Sequence, residues 1–158
     1  MPTDADKERE TFLNEIEQRR GGKITYRTFS TFYADSDGNM RDFGIFYMVN
    51  GIFWFQDFER DNSFLGFRFN RFKTEEFIPF ESSFSPLEVV SYRTVLKNFT
   101  RKCAMGQKDF SKLHKAPPVI SLLSETVTEI RLQSGKTMYF QFADKTVLKM
   151  IDQMKNNN

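Results

Sequence analysis

The feature that most constrains the fold is the stretch at residues 44–59, GIFYMVNGIFWFQDFE, in which two apolar runs flank Asn50 and Gly51. An Asn-Gly pair tolerates the positive φ angles of a type I′ turn, whose twist matches that of paired strands. A two-residue loop therefore predicts a hairpin with six cross-strand pairs. These are Val49–Ile52, Tyr47–Trp54 and Ile45–Gln56 on one face, and Met48–Phe53, Phe46–Phe55 and Gly44–Asp57 on the other. Near the turn both faces are apolar, whereas a sheet with one face in water alternates apolar and polar residues.

Phenylalanine dominates the apolar composition of the chain. Hydrophobic residues make up 39% of the 158 residues, and 19 residues are Phe. Aromatic side chains favour strands, so a core built from rings indicates a β-rich domain. The length fits one domain with its own core. The formal net charge of +2 indicates no particular partner, so any electrostatic interaction has to come from a local cluster.

The counts of cysteine and histidine exclude several classes of site. Cys103 is the only cysteine and His114 the only histidine, which excludes an internal disulfide framework, a multi-cysteine zinc site and a two-histidine mechanism. Residues 1–20 are rich in acids and do not resemble a signal peptide, and no apolar run reaches the ~18 residues of a membrane span. We expect a cytoplasmic protein, at most peripheral to a membrane, without a metal or other cofactor.

Helices are predicted at both ends of the chain. Residues 5–20 are strong helix formers and end at Gly21, with only a thin apolar stripe, so this helix is expected to dock on another element. Near the other end, Asp144 is the predicted cap of a second helix. Its apolar stripe consists of Val147, Leu148, Ile151 and Met154.

Short strands fill most of the chain between these helices. Besides the hairpin, period-two or apolar patterns predict strands at 23–34, 63–69, 75–82, 119–123, 128–132 and 137–142. Residues 93–115 interrupt the pattern with seven basic residues, the single acid Asp109 and one short helix at 96–104. The predicted organisation is an N-terminal helix at 1–22, a β domain at 23–155 that includes this basic excursion, and a disordered tail at 156–158.

About seven antiparallel strands followed by one amphipathic helix resemble the pleckstrin-homology (PH) superfold. In detail, GIFYMVNGIFWF, FIPFESSFSPLEVVSY and TEIRLQSGKTMYFQFADKTVLKMIDQM are similar to the tandem strands, the Ile-Pro strand step and the last hairpin with its capping helix in the GRAM and bacterial PH-like branches. The resemblance implies a mostly β barrel or sandwich that acts as a binding module. Phosphoinositide-binding PH domains carry Lys and Arg at the first turn, whereas the turn here, residues 35–39, is acidic.

The outer face of the hairpin is the first candidate site. Tyr47, Trp54 and Ile52 need a cover, and the N-terminal helix is the nearest candidate for it. If that face is instead open, it predicts a docking surface for a protein partner or a second copy of the chain, because large exposed apolar patches mark interfaces.

The basic excursion is the second candidate site. Its bases could bind the phosphates of an anionic lipid or of another ligand, although a charged run is more often simply a solvated face. Nucleic acid ranks lower as a partner because no nucleic-acid-binding motif accompanies the bases. The candidate residues are Arg93, Lys97, Arg101, Lys102, Lys108, Lys112 and Lys115.

The stretch DNSFLG supplies an alternative. Asp61, Ser63 and Gly66 match the Asp-x-Ser-x-x-Gly motif of PilZ domains, small barrels that bind cyclic di-GMP. PilZ domains also carry an upstream Arg-x-x-x-Arg, and the arginines of this chain lack that spacing. A tight turn before a strand is the favoured explanation of the three letters, so cyclic di-GMP binding is kept as the alternative function.

No arrangement of residues in the sequence indicates catalysis. A nucleophile and its base would have to be Cys103 and His114, which lie in a lysine-rich stretch with Asp109 as the only nearby acid. Asp35 and Asp37 resemble the start of a calcium loop, but the remaining EF-hand ligands are missing. The sequence predicts a non-enzymatic binding module.

Overall fold

The computed structural model of the protein describes residues 1–60, 67–68 and 78–158. The described part contains α-helices, β-strands and two 3₁₀ turns at Pro86–Glu88 and Phe110–Lys112. In chain order the helices and strands are α1 (Asp4–Arg20), β1 (Ile24–Asp35), β2 (Phe43–Val49), β3 (Ile52–Asp57), β4 (Glu59–Arg60), β5 (Phe67–Arg68), β6 (Glu81–Phe84), β7 (Val89–Leu96), α2 (Lys97–Ala104), α3 (Pro118–Leu123), β8 (Thr126–Leu132), β9 (Thr137–Phe142) and α4 (Thr146–Asn156).

Seven of the strands form one antiparallel sheet in the order β6-β3-β2-β1-β9-β8-β7, and β4 pairs with β5 separately. The predicted mostly β domain with a helix at each end is therefore confirmed. The prediction is a barrel or a sandwich, and its closed-barrel form is wrong, because β6 and β7 are the two ends of the sheet and do not pair with each other. A 3₁₀ turn starting at Pro86 separates them. Lys115 and Ala116 lie along the outer edge of β7 instead. Lys115 forms a β-bridge with Val95, and the Ala116 amide donates a hydrogen bond to the Thr94 carbonyl.

The hairpin β2–β3 has the predicted register at all six pairs. Asn50 and Gly51 have φ angles of 52° and 76°, as a type I′ turn requires. Gly44 lies where a Cβ would collide with the backbone carbonyl of Gln56, so the close approach of β2 and β3 requires glycine at this position. The local sequence therefore determines both the turn and the pairing of these two strands.

The inner face of the sheet carries the main core. Phenylalanine rings from β1, β2, β3, β6 and β9 pack against one another there, as in the edge-on contact of Phe46 and Phe140. Helix α4 closes this core with Val147 and Ile151, both fully buried. The N-cap residue of α4 is Lys145, and the carboxylate of the preceding Asp144 accepts a bond from the Thr146 amide at 2.8 Å. The predicted apolar stripe of the last helix is confirmed, whereas the predicted cap residue lies one position before the actual cap.

Two further layers cover the outer face of the sheet. Helix α1 places Phe12 and Ile16 on Ile45, Tyr47 and Val49, and so covers the outer face of the hairpin. At the other half of the sheet, the chain from α2 to the 3₁₀ turn at Phe110–Lys112 covers β7, β8 and β9 with residues that include Phe99, Phe110 and Leu113. Both faces of the hairpin are apolar because both are covered within the same chain.

Helix α1 begins and ends where its sequence requires. Thr3 caps it in a reciprocal pair with Asp6, and Gly21 ends it with a left-handed φ of 69°. The predicted helix at 5–20 is confirmed. Among the described residues, no helix combines the length and the apolar character needed to cross a bilayer.

One predicted strand is wrong, and others lie outside the described residues. Residues 119–123 belong to helix α3, whose first residue is Pro118. Proline is tolerated in the first helical turn, because the N–H that it lacks would have no partner within the helix there. Of the strand predicted at 63–69, only residues 67–68 are described, and of the strand predicted at 75–82, residues 75–77 lie outside the described residues. In the described part of the second prediction, strand β6 begins only at Glu81.

Candidate functional site

Polar contacts at the end of α1 hold the helix over the outer face of the hairpin. We call this group of residues the polar latch: Arg19, Arg20, Tyr47, Trp54 and Glu81. The Nε of Arg20 donates to the Tyr47 hydroxyl at 3.1 Å, and its guanidinium lies 3.5 Å from the centroid of the Trp54 ring. Glu81 on β6 forms ion pairs with Arg20 at 2.7 Å and Arg19 at 3.0 Å. Because cation–π contact and ion pairs converge on one side chain, Arg20 holds the helix to β2, β3 and β6 at once.

The three partner-binding candidates therefore differ in accessibility. Tyr47 is fully buried beneath α1, while Trp54 and Ile52 are only partly covered. A partner cannot reach Tyr47 unless α1 moves away. Protein binding at this face stays a prediction.

Arg93, the first residue of the basic excursion, is part of a buried ionic network. Its guanidinium donates to both carboxylate oxygens of Glu129, at 2.7 and 3.2 Å, and to the Leu113 carbonyl at 2.8 Å. Arg131 also pairs with Glu129 at 2.8 Å. Burial opposes ionisation of Glu129, but the bond and charge of Arg93 outweigh it and hold the pKa of that carboxyl below its ordinary value. Burial, together with the charge of Glu129, raises the pKa of Tyr139. Arg93 thus has a structural partner.

Lys97 is also engaged within the fold. Its ammonium pairs with Glu125 at 2.9 Å and lies 6.0 Å from the centroid of the Tyr33 ring. The backbone amide of Lys97 donates to the Glu125 carbonyl at 3.0 Å. These contacts tie the start of α2 to the start of β8.

The remaining five bases of the excursion are exposed. Within the part of the chain that the structure describes, none of them forms an ion pair with a carboxylate. The only acid of the excursion, Asp109, caps the following 3₁₀ turn, and its bonds with Ser111 lower its pKa. We call these five the free bases: Arg101, Lys102, Lys108, Lys112 and Lys115.

Exposed apolar residues follow the free bases directly in the chain. In α3, Val119 is 69% exposed, Ile120 41% and Leu123 84%. The sequence interpretation missed this feature because it assigned residues 119–123 to a buried strand. The signal that identifies a helix is the Pro117-Pro118 pair, since proline is favoured in the first helical turn.

The candidate catalytic residues differ in burial. Cys103 is buried and burial raises the pKa of its thiol, whereas His114 is exposed. Asp35 is buried but is occupied by the turn that it begins: its carboxylate accepts bonds from Asn39 and from the amide of Asp37. No group of three or more potential metal ligands occurs among the described residues.

A cavity of about 340 Å³ lies between α1 and the outer side of β1 and β2. Phe12, Phe29, Ile45 and Phe58 supply its apolar lining. Its lining also includes the charged residues Asp6, Glu8, Arg9 and Arg27, and Arg9 is paired with Asp6 at 2.9 Å. The cavity can admit a small apolar molecule.

The residues of the alternative cyclic di-GMP site, Asp61, Ser63 and Gly66, lie outside the described residues, so the PilZ alternative stays a prediction. No family model matches the chain, and comparison with curated proteins and with solved structures yields no match either. Function therefore has to be argued from the contacts and charges described above.

Proposed function

We propose that this protein is a non-enzymatic, PH-like binding module that binds its ligand through the basic excursion. The ligand is negatively charged and is either an anionic membrane or another phosphate-bearing molecule. The observation that carries the proposal is the set of five free bases. The fold already uses Arg93 and Lys97 but leaves the others without a carboxylate partner among the described residues.

The architecture supports the PH-like part of the proposal. Seven antiparallel strands in one sheet, with a C-terminal helix packed on the inner core, agree with the order that the sequence resemblance implies. The additions are α1 and the basic excursion, each of which covers part of the outer face. The excursion is thus both a structural layer and the carrier of the free bases.

The electrostatics support an anionic ligand. A ligand that meets an exposed base without a carboxylate partner displaces only loosely held counterions. Near an anionic membrane surface, each such base contributes about 1 kcal/mol, and this contribution weakens as salt is added. At about 1 kcal/mol each, five bases together contribute more binding free energy than one or two.

The first experiment measures retention on a heparin column, a generic polyanion, as the salt concentration at elution. Reversal of Lys108, Lys112 and Lys115 to Glu should remove retention. The matched control reverses Lys7, Lys145 and Lys149, which are exposed bases on α1 and at the start of α4. Both triple variants change the net charge equally, so the control should elute close to the unchanged protein if the position of the charges matters.

Equal elution of the two triple variants would contradict the proposal, because only total charge would then count. Weak retention of the unchanged protein would contradict it as well. Cyclic di-GMP is measured in parallel by calorimetry. Binding that is lost in Asp61→Ala and Ser63→Ala would favour the PilZ alternative instead.

A further inference from the structure

Helix α3 presents an apolar face to solvent. Val119 and Leu123 are one helical turn apart and lie on the same side, and Ile120 is rotated from Val119 by roughly 100°. All three are exposed, and residues 116–123 contain no charged side chain. Single exposed apolar residues are ordinary, but three on one face of a six-residue helix form a contiguous patch.

The chain holds α3 firmly beside the free bases. On its N-terminal side, Lys115 bridges Val95, and the Ala116 amide donates to the Thr94 carbonyl at 2.8 Å. On its C-terminal side, the Glu125 carbonyl accepts from the Lys97 amide at 3.0 Å. Both anchors lie at the end of β7, where α2 begins, and α2 carries Arg101 and Lys102 in its last turn. The apolar face, Lys115 and α2 are therefore parts of one edge of the molecule.

Charge complementarity indicates which kind of partner binds at this edge. A symmetric contact with a second copy of the chain would place free bases against free bases, which repel. A nucleic acid would satisfy the bases but would leave the apolar face of α3 without a partner. The interface of an anionic bilayer offers negative headgroups next to acyl chains, and so matches both parts at once.

We infer that this edge docks on an anionic lipid bilayer, with Val119, Ile120 and Leu123 entering the boundary between headgroups and acyl chains and the free bases meeting the lipid phosphates. The inference rests on the proposed function, because it names the source of the negative charge. It assigns α3 the role of an apolar anchor, which an electrostatic site for a soluble phosphate does not need.

The test compares binding of the full chain to vesicles of phosphatidylcholine alone and to vesicles that contain about 30% phosphatidylserine, an anionic lipid. The unchanged protein should sediment with the second kind only. The double variant Val119→Ser/Leu123→Ser should bind these vesicles about tenfold more weakly, because it loses two apolar side chains that leave water. Both residues are exposed, so the thermal unfolding midpoint should not change.

The matched control is Leu87→Ser/Val90→Ser, which removes exposed apolar side chains of the same kind at the opposite end of β7. It should bind vesicles as the unchanged protein does. Heparin retention of the α3 double variant should also be unchanged, because the free bases are intact.

The outcomes separate the two proposals. Retention on heparin without vesicle binding would overturn the bilayer inference and leave the proposed anion binding standing. Equal vesicle binding by the α3 variant and the unchanged protein would also overturn it, since α3 would then be no anchor. Absence of heparin retention and of vesicle binding in the unchanged protein would overturn both.

Discussion

The buried carboxylate of Glu129 on β8 pairs with Arg93 and so makes this base of the basic excursion part of the folded structure. Glu129 is only 1% exposed and is paired with Arg93 and Arg131. From the sequence, Arg93 counts as one of seven equivalent bases, because its partner lies 36 residues further along the chain. Only the pairing of β7 with β8, which sets Arg93 opposite Glu129, reveals that this base is internal.

Replacing Glu129 by Gln should destabilise the protein by about 2 kcal/mol at neutral pH, because charge-assisted bonds to Arg93 and Arg131 are lost. The folded protein lowers the pKa of Glu129, so its stabilising effect is complete above its ordinary value of 4.5 and declines as the pH falls through the lower, folded value. The difference in unfolding free energy between the unchanged protein and Glu129→Gln should therefore shrink as the pH falls below 4.5. Urea denaturation at several pH values measures it.

Glu125→Gln is the control for this prediction, because Glu125 is exposed and pairs only with Lys97 among the described residues. It should change stability by less than about 1 kcal/mol. A difference between Glu129→Gln and the unchanged protein that is the same at neutral and acidic pH would contradict the assignment of Glu129 as an ionised, internally paired carboxylate.

At the scale of the elements, the sequence predicts what local patterns decide. The register of β2 and β3 follows from Asn50-Gly51 and two alternating runs, and α1 follows from its helix formers and Gly21. Helix α3 was missed because a five-residue stretch with four apolar residues fits a buried strand as well as a helix. Its exposure depends on how distant parts of the chain pack, which no local pattern contains.

The docking of α1 depends on Arg20, whose side chain is 13% exposed and contacts Tyr47, Trp54 and Glu81. Arg20→Ala should lower stability by about 1–3 kcal/mol through loss of the ion pair and the cation–π contact. Trp54 is the only tryptophan, so its emission reports the site, and it should shift to longer wavelength as water reaches the ring. Fluorescence and thermal unfolding measure both effects.

Arg9→Ala provides the comparison, since the Arg9 side chain on the same helix is 62% exposed and pairs with Asp6 alone among the described residues. It should leave the emission and the stability nearly unchanged. If Arg20→Ala behaves like Arg9→Ala, then α1 is held by its apolar residues alone and the polar latch contributes nothing.

At the scale of the whole molecule, the seven-stranded sheet supports three separate apolar layers among the described residues. The inner core lies under α4, and the outer face is divided between α1 and the basic excursion. The sequence predicted the antiparallel strands and both terminal helices, but not that the sheet stays open. Closure depends on whether β6 and β7 meet, and the Val95–Lys115 bridge occupies the edge of β7 instead.

The basic excursion should therefore contribute to folding through one set of residues and to binding through another. Leu113 is 3% exposed and packs with Val95, Val127 and Tyr139, whereas Leu123 on α3 is 84% exposed. Leu113→Ala should cost about 2–5 kcal/mol, and Leu123→Ala less than about 0.5 kcal/mol. At this chain length the first change lowers the unfolding midpoint by several degrees, which calorimetry resolves. Equal effects of the two substitutions would mean that the excursion does not form a layer of the core, and that its bases have no fixed position from which to bind.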